Sequence, residues 1–209
     1  MDILIVDDHP IVRRGLRQIL EEEFPDAHVG EAGDGPRALE LVRAKAWQAV
    51  VLDITIPPRN GLDVLKEIKR EKPALPVLIL SIHPEDQYAI RALRAGASGY
   101  MTKESAPQEL VKAVRKIQKG GIYASASLTE ALAGQLKPGA ELPPHARLSD
   151  REFQVLCLIA KGRTINEIAA ELYLSPKTIT TFRSRIQQKM GLKRTADLVR
   201  YAIIHGLVS

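Results

Sequence analysis

Three aspartates, a serine and a lysine stand where apolar runs of this chain stop. Asp7 and Asp8 follow "ILIV" (3–6), Asp53 closes "AVVLD" (49–53), Ser81 closes "PVLILS" (76–81), and Lys103 follows "SGYMT" (98–102). Adjacent carboxylates repel each other and add nothing to a core, so their placement calls for a cation. Three carboxylates with no cysteine or histidine in the set make a hard-oxygen site suited to Mg²⁺, with Mn²⁺ as the alternative. A carboxylate can attack phosphorus to give an acyl phosphate. A divalent ion, a lysine ammonium and a serine hydroxyl would then neutralise the phosphoryl oxygens. His9 and His83 are read as loop neighbours of this set, not as ligands or catalysts. Cys157, the single cysteine, lies in the apolar run "QVLCLIA" and is read as a plain buried thiol.

The elements that must bring these groups together can be read from periodicity. "ILIV", "AVVLD" and "PVLILS" are short, bounded and rich in β-branched residues, as strands buried on both faces of a parallel sheet are. "HVGEAG" and "SGYMTK" are weaker strand candidates. Helical patterns lie between them: "IVRRGLRQILEEEF", with Ile11, Leu16, Ile19 and Leu20 assigned to one face, "GPRALELVRAKA" and "GLDVLKEIKREKP". A last helix, Pro107 to about Lys119, is expected to start at a capping box, Ser105 to Gln108. Five strand–helix units predict a doubly wound α/β domain with a five-stranded parallel sheet over residues 1–123. Ligands of such sheets bind beyond the carboxyl ends of the strands, where all five polar groups fall.

Residues 124–145, rich in Ala, Gly, Pro and Ser, are read as a linker in which "SLTEALAGQL" could form a short helix. Residues 146–209 carry no strand signal and read as a small all-helical domain. Ser149 to Glu152 and Thr164 to Glu167 are both capping boxes, Ser175-Pro176 opens a third helix, and a fourth begins near Thr195 and closes at Gly206.

Charge divides the same way. Residues 1–123 hold 18 Lys+Arg against 18 Asp+Glu; the rest of the chain holds 12 against 7, so the whole net charge of +5 lies there. From Lys177 to Arg194 there are six Lys/Arg and no acid. At about 100° per residue, Ile179, Phe182, Ile186 and Met190 of the third helix form an apolar stripe. Lys177, Thr180, Thr181, Ser184 and Gln188 lie opposite, flanked by Arg185 and Lys189, with Arg183 at the apolar border and Thr178 in the first turn. Short polar groups between cations suit a helix in the major groove of double-stranded DNA. The preceding helix, Asn166 to Tyr173, and the "LSP" turn complete a helix-turn-helix.

Composition narrows the field. The chain of 209 residues is 45% hydrophobic and 26% charged, as expected of a globular protein. One cysteine excludes a disulfide framework and a multi-cysteine zinc site. No stretch approaches the roughly 18 apolar residues of a membrane span, and the first residues lack a secretory signal, so a cytoplasmic, non-membrane protein is expected.

"LIVDDHP", "VVLDITIPPRNGL", "LS" and "GASGYMTKES" together resemble the landmarks of bacterial response-regulator receiver domains, which have a flavodoxin-like fold. "LSDREFQVLCLIAKGRTINEIAAELYLSPKTITTFRSRIQQKMGL" resembles the LuxR/NarL-type DNA-binding domain. The resemblance implies that Asp53 accepts a phosphoryl group from a sensor histidine kinase. It also implies that Asp8 ligates Mg²⁺ directly, Asp7 through water, and Thr55 by its backbone carbonyl. Lys103 would pair with the phosphoryl oxygens, Ser81 would move towards them, and Tyr100 would change rotamer as the switch. The last helix, Thr195–His205, would support a homodimer on DNA. Ile82 is bulkier than the small residue common after the switch serine. Thr180 and Phe182 replace the lysine and histidine that many relatives carry, so no base preference is transferred. No turnover enzyme is expected: phosphohydrolases with an aspartate nucleophile place a second acid two residues on, where this chain has Thr55, and no substrate cap is recognisable. A receiver that no longer accepts phosphate would have no use for the complete set of Asp7, Asp8, Asp53, Ser81 and Lys103.

Overall fold

A computed structural model describes residues 1–57, 60–83, 85–125, 128–130 and 143–208. The chain divides into two compact units, Met1–Glu130 and Ala131–Ser209.

The first unit contains β1 (Asp2–Val6), α1 (Pro10–Glu23), β2 (His28–Ala32), α2 (Gly35–Ala44), β3 (Ala49–Asp53), α3 (Gly61–Glu71), β4 (Val77–Ser81), α4 (Glu85–Arg94), β5 (Gly99–Thr102) and α5 (Ala106–Gln118). The five strands are parallel in the order β2-β1-β3-β4-β5. The chain therefore steps outwards from β1 to β2 and returns past β1 to β3. The switch point that this reversal creates lies between the carboxyl ends of β1 and β3. In register, Val6 pairs with Leu52, Asp53 with Leu80, and Ser81 with Thr102. Asp53 and Ser81 are thus the last paired residues of their strands, Asp7 and Lys103 lie one step past theirs, and Asp8 lies two steps past.

Every residue of β3 and β4 is buried, which explains their unbroken apolar runs. On one face Leu16 and Leu20 of α1 and Leu110, Val114 and Ile117 of α5 pack against Ile3, Ile5, Val51, Leu78 and Leu80. Ile11 is 85% exposed and does not share that face. Five residues at about 100° each turn it some 140° from Leu16. The capping box expected at Ser105 is also absent. Its backbone is helical (φ −83°, ψ −14°), and its hydroxyl donates to Thr102 O at 3.0 Å.

Two glycines are fixed by close approach. The Trp47 ring lies 2.3 Å from where a Cβ on Gly30 would sit, and the indole N–H donates to Leu41 O at 2.8 Å. A Cβ on Gly61 would sit 2.2 Å from the carbonyl oxygen of Asp53.

The second unit contains α6 (Asp150–Ala160), α7 (Ile165–Glu171), α8 (Pro176–Met190) and α9 (Thr195–Ile204), preceded by a 3₁₀ turn at Pro144–Arg147. Both expected capping boxes form, with Ser149 and Glu152 at α6 and Thr164 and Glu167 at α7. Ser175 caps α8, and Gly191 ends it in the left-handed region (φ +68°). Of the expected linker, residues 126–127 and 131–142 lie outside the described residues, and with them most of the possible helix there.

Gly61→Ala should move the strand end that carries Asp53 and destabilise the first unit by about 1–3 kcal/mol. Urea unfolding checks this, and an unchanged midpoint would show the packing there to be slack.

Candidate functional site

The strand ends converge as the spacing predicts. Carboxylate oxygens of Asp7, Asp8 and Asp53 and a ring nitrogen of His9 all lie within 4.8 Å of one another. Lys103, delivered by the turn after β5, sets its Nζ 2.8 Å from Asp53 Oδ2 and 2.6 Å from Asp7 Oδ2. Asp7, Asp53 and Ser81 are buried, while Asp8 is partly exposed at the mouth.

Two aspartates buried around one ammonium are under-compensated. Burial pushes the Asp53 carboxyl up to about 6; Lys103 and the Thr55 amide oppose this, and the charge of Asp7 adds to it. Burial would lower the Lys103 ammonium, but Asp53 and Asp7 outweigh that and hold it above its ordinary value. A divalent cation fits this donor set, because the clustered oxygens are hard and their charge exceeds that of the single lysine. The hydroxyl of Thr55 is a further buried oxygen with no hydrogen-bond partner among the described residues.

Neighbouring contacts shape the rim. Asp53 Oδ1 accepts from the Thr55 amide at 3.0 Å, and Asn60 caps α3 through the Leu62 amide. His9 does belong to the cluster: its Nδ1 lies 2.8 Å from Asp8 Oδ1 and 3.2 Å from Asp7 Oδ1. His83 acts through its backbone, donating its N–H to Ser81 Oγ at 3.0 Å and accepting from the Tyr100 hydroxyl at 2.9 Å. Tyr100 is fully buried, so the strand aromatic points inwards and is tied to the loop that follows Ser81. Ile82, at 68% exposure, stands open beside that loop. One contact had no signal in the sequence: Arg13 Nη1 donates to the carbonyl oxygen of Asp7 at 2.7 Å.

On α8, Ile179, Ile186 and Met190 are buried and Phe182 is half-buried. Lys177, Thr180, Thr181, Ser184, Arg185 and Gln188 are exposed, and Arg183 is half-buried, as the wheel predicts. The hydroxyls of Thr180, Thr181 and Ser184 donate to Pro176 O, Lys177 O and Thr180 O at 3.0–3.1 Å. Their protons are used within the helix, and they face outwards as acceptors. Thr178 sits in the cap, its amide bonded to Ser175 Oγ at 3.1 Å. Lys189 differs from the other cations, since its Nζ lies 2.6 Å from Oε2 of the buried Glu152. Burial pushes the Glu152 carboxyl up, but Lys189 and Ser149 outweigh it and hold the group below its ordinary value.

Residues 3–115 match the family described as "Response regulator receiver domain". The chain belongs to the response-regulator family. The regulator's residues 146–202 match "Bacterial regulatory proteins, luxR family", so the helical unit is a LuxR-type DNA-binding domain. The regulator is similar to Response regulator UvrY of Escherichia coli strain K12, at 36% identity over 99% of this chain and 95% of that protein. It is also similar to Response regulator GacA of Pseudomonas aeruginosa, at 34% identity over 99% and 97%. Among solved structures, RcsB of Salmonella enterica serovar Typhimurium bound to promoter rprA with the phosphomimetic BeF3⁻ aligns at a TM-score of 0.64 and 29% identity. That alignment covers 96% of this chain and 98% of that one. An RcsB–DNA complex aligns at a TM-score of 0.59 over 100% and 99%. No helix among the described residues is long and apolar enough to cross a membrane.

The raised Asp53 carboxyl has a signed consequence for stability. Its folded-state value exceeds its unfolded one, so its stabilising contribution is full below about pH 4 and lost as pH rises through about 6. Without divalent cations, Asp53→Asn should therefore be more stable than wild type by about 1–3 kcal/mol at pH 7–8. The gain should shrink towards pH 5, as urea titrations at each pH would record.

Proposed function

We propose that the chain is a phosphorylation-controlled transcriptional regulator, with a receiver over residues 1–123, a linker over 124–145 and a DNA-binding domain over 146–209. The observation that carries this reading is the buried Asp7–Lys103–Asp53 bridge at the switch point of the sheet. An oxygen of Asp53 attacks the phosphorus of a phosphohistidine on a sensor histidine kinase. The new O–P bond replaces the P–N bond, and the imidazole keeps the electron pair and takes a proton from solvent. Asp8, Asp53 and the Thr55 carbonyl would hold Mg²⁺ (or Mn²⁺), with Asp7 acting through water. The cation supplies charge neutralisation for the carboxylates and the phosphoryl oxygens.

Lys103 keeps Asp7 as a partner while its other contact passes from Asp53 to a phosphoryl oxygen. Ser81 turns its hydroxyl proton to another such oxygen, which draws on the loop at His83. Because the Tyr100 hydroxyl bonds to the His83 carbonyl, Tyr100 and that loop shift together, and the switch reaches the α4–β5 surface.

For DNA, Thr180, Thr181 and Ser184 offer acceptors to base amino groups, with Gln188 beside them, while Lys177, Arg183 and Arg185 reach phosphates. Lys189 is committed to Glu152 and contributes less than its sequence position implies. A homodimer on DNA would use the exposed apolar face of α9, at Ala196, Val199, Ile203 and Ile204. These features support a regulator, not a turnover enzyme.

With Mg²⁺ and acetyl phosphate, intact mass should show one phosphoryl group on wild type and none on Asp53→Ala. Light scattering should show a larger dimer fraction for the modified protein alone. An adduct on Asp53→Ala would remove Asp53 from its role. In DNA titrations Arg185→Ala should weaken all sequences alike and lower the salt slope by about one. Thr181→Ala with Ser184→Ala should instead flatten sequence preference, and the opposite pattern would reverse the assignment of faces.

A further inference from the structure

We infer that Arg13 is a positioning residue of the acidic site, fixing the backbone between Asp7 and Asp8 so that their carboxylates meet a divalent cation. The inference rests on the cation reading above and adds a residue to it. β1 ends at Val6, and the strand pairings among the described residues stop there, short of the Asp7 carbonyl. The Asp7 amide still donates to Ala32 O at 3.2 Å, and the carbonyl accepts from Arg13 Nη1 at 2.7 Å. That carbonyl belongs to the planar peptide joining the two aspartates, so fixing it fixes the direction in which Asp8 leaves.

Arg13 is itself held. Its Nε donates to Glu31 Oε2 at 3.0 Å, its side chain is 17% exposed, and Glu31 is also paired with Arg17 at 3.1 Å. A planar guanidinium with one edge on Glu31 and another on Asp7 O has few alternative orientations. Arg17 provides an internal control. It shares Glu31 and donates to Val29 O at 2.9 Å, so it ties α1 to β2 without touching Asp7 in any described contact.

Two effects of Arg13 on a cation have opposite signs, which makes the inference testable. As a mere positive charge near the site, Arg13 would repel the cation, and its removal would tighten binding. As a positioning residue, its removal loosens binding.

The experiment measures Mn²⁺ affinity of the full-length chain from the electron paramagnetic resonance signal of free Mn²⁺, with urea unfolding on the same samples. Arg13→Met is expected to weaken Mn²⁺ binding about tenfold, the scale of losing a partner that orients a ligand. Arg17→Met should lower stability and leave the affinity unchanged. Affinity that is unchanged or tighter in Arg13→Met overturns the inference, as does equal weakening in both variants. Should Arg13→Met fail to fold, Arg13→Lys decides: it keeps the positive charge but lacks the planar fork that spans Glu31 and Asp7 O, so weaker Mn²⁺ binding supports the inference while unchanged binding overturns it. If wild type itself binds no Mn²⁺, the cation reading fails and the inference falls with it.

Discussion

Everything in the receiver is arranged around one electrostatic imbalance. Two buried aspartates and a third at the mouth face a single ammonium, and one positive charge does not offset three negative ones in a poorly solvated pocket. Burial is the main cause that raises the Asp53 carboxyl, and the charge of Asp7 adds to it while Lys103 opposes both. An arrangement of this kind costs stability on its own and, in the proposed reading, would be relieved by a bound divalent cation, which supplies the positive charge the carboxylates lack. On that reading, binding energy would go into removing a repulsion already present.

The sheet makes the imbalance possible. Parallel strands buried on both faces must end at one edge, and the reversal of strand order leaves a gap between β1 and β3 there. Gly61 lets α3 start against the Asp53 carbonyl, and Asn60 caps it. Arg13 holds the other strand end from α1. Both aspartate-bearing ends are therefore clamped by the helix that follows them, through a missing side chain in one case and a long one in the other.

Much of this was legible from residue order. The five strands, their parallel packing and the convergence of Asp7, Asp8, Asp53, Ser81 and Lys103 follow from apolar run length and from where each run stops. The capping boxes at Ser149 and Thr164 were legible because their partners lie three residues away. What escaped depends on the reach of side chains between elements. Nothing near Lys189 announces Glu152, which lies 37 positions away, and nothing about Arg13 distinguishes it from Arg14 until α1 is placed on the sheet. Ser105 shows the limit of local patterns: a serine three residues before a glutamine fits the box, yet the turn from β5 already gives it helical dihedrals and turns its hydroxyl backwards. Ile11 fits the apolar pattern that groups it with Leu16, Ile19 and Leu20, but its angular position turns it away from Leu16 and into solvent.

The two units use polar groups in opposite ways, and that difference fits their division of labour. In the receiver, buried charges face one another. On α8 the hydroxyls of Thr180, Thr181 and Ser184 have already given their protons to the helix, so they need no partner to be stable in water and still offer lone pairs outwards. Such a surface is satisfied in water and, in the proposed reading, would lose little when DNA replaces water, whereas the acidic site holds more carboxylates than its lysine can neutralise. A switch needs its unsatisfied half at the input and its satisfied half at the output. In the proposed reading, binding at the input would do work on the fold, while the output surface, complete in itself, would only have to become available.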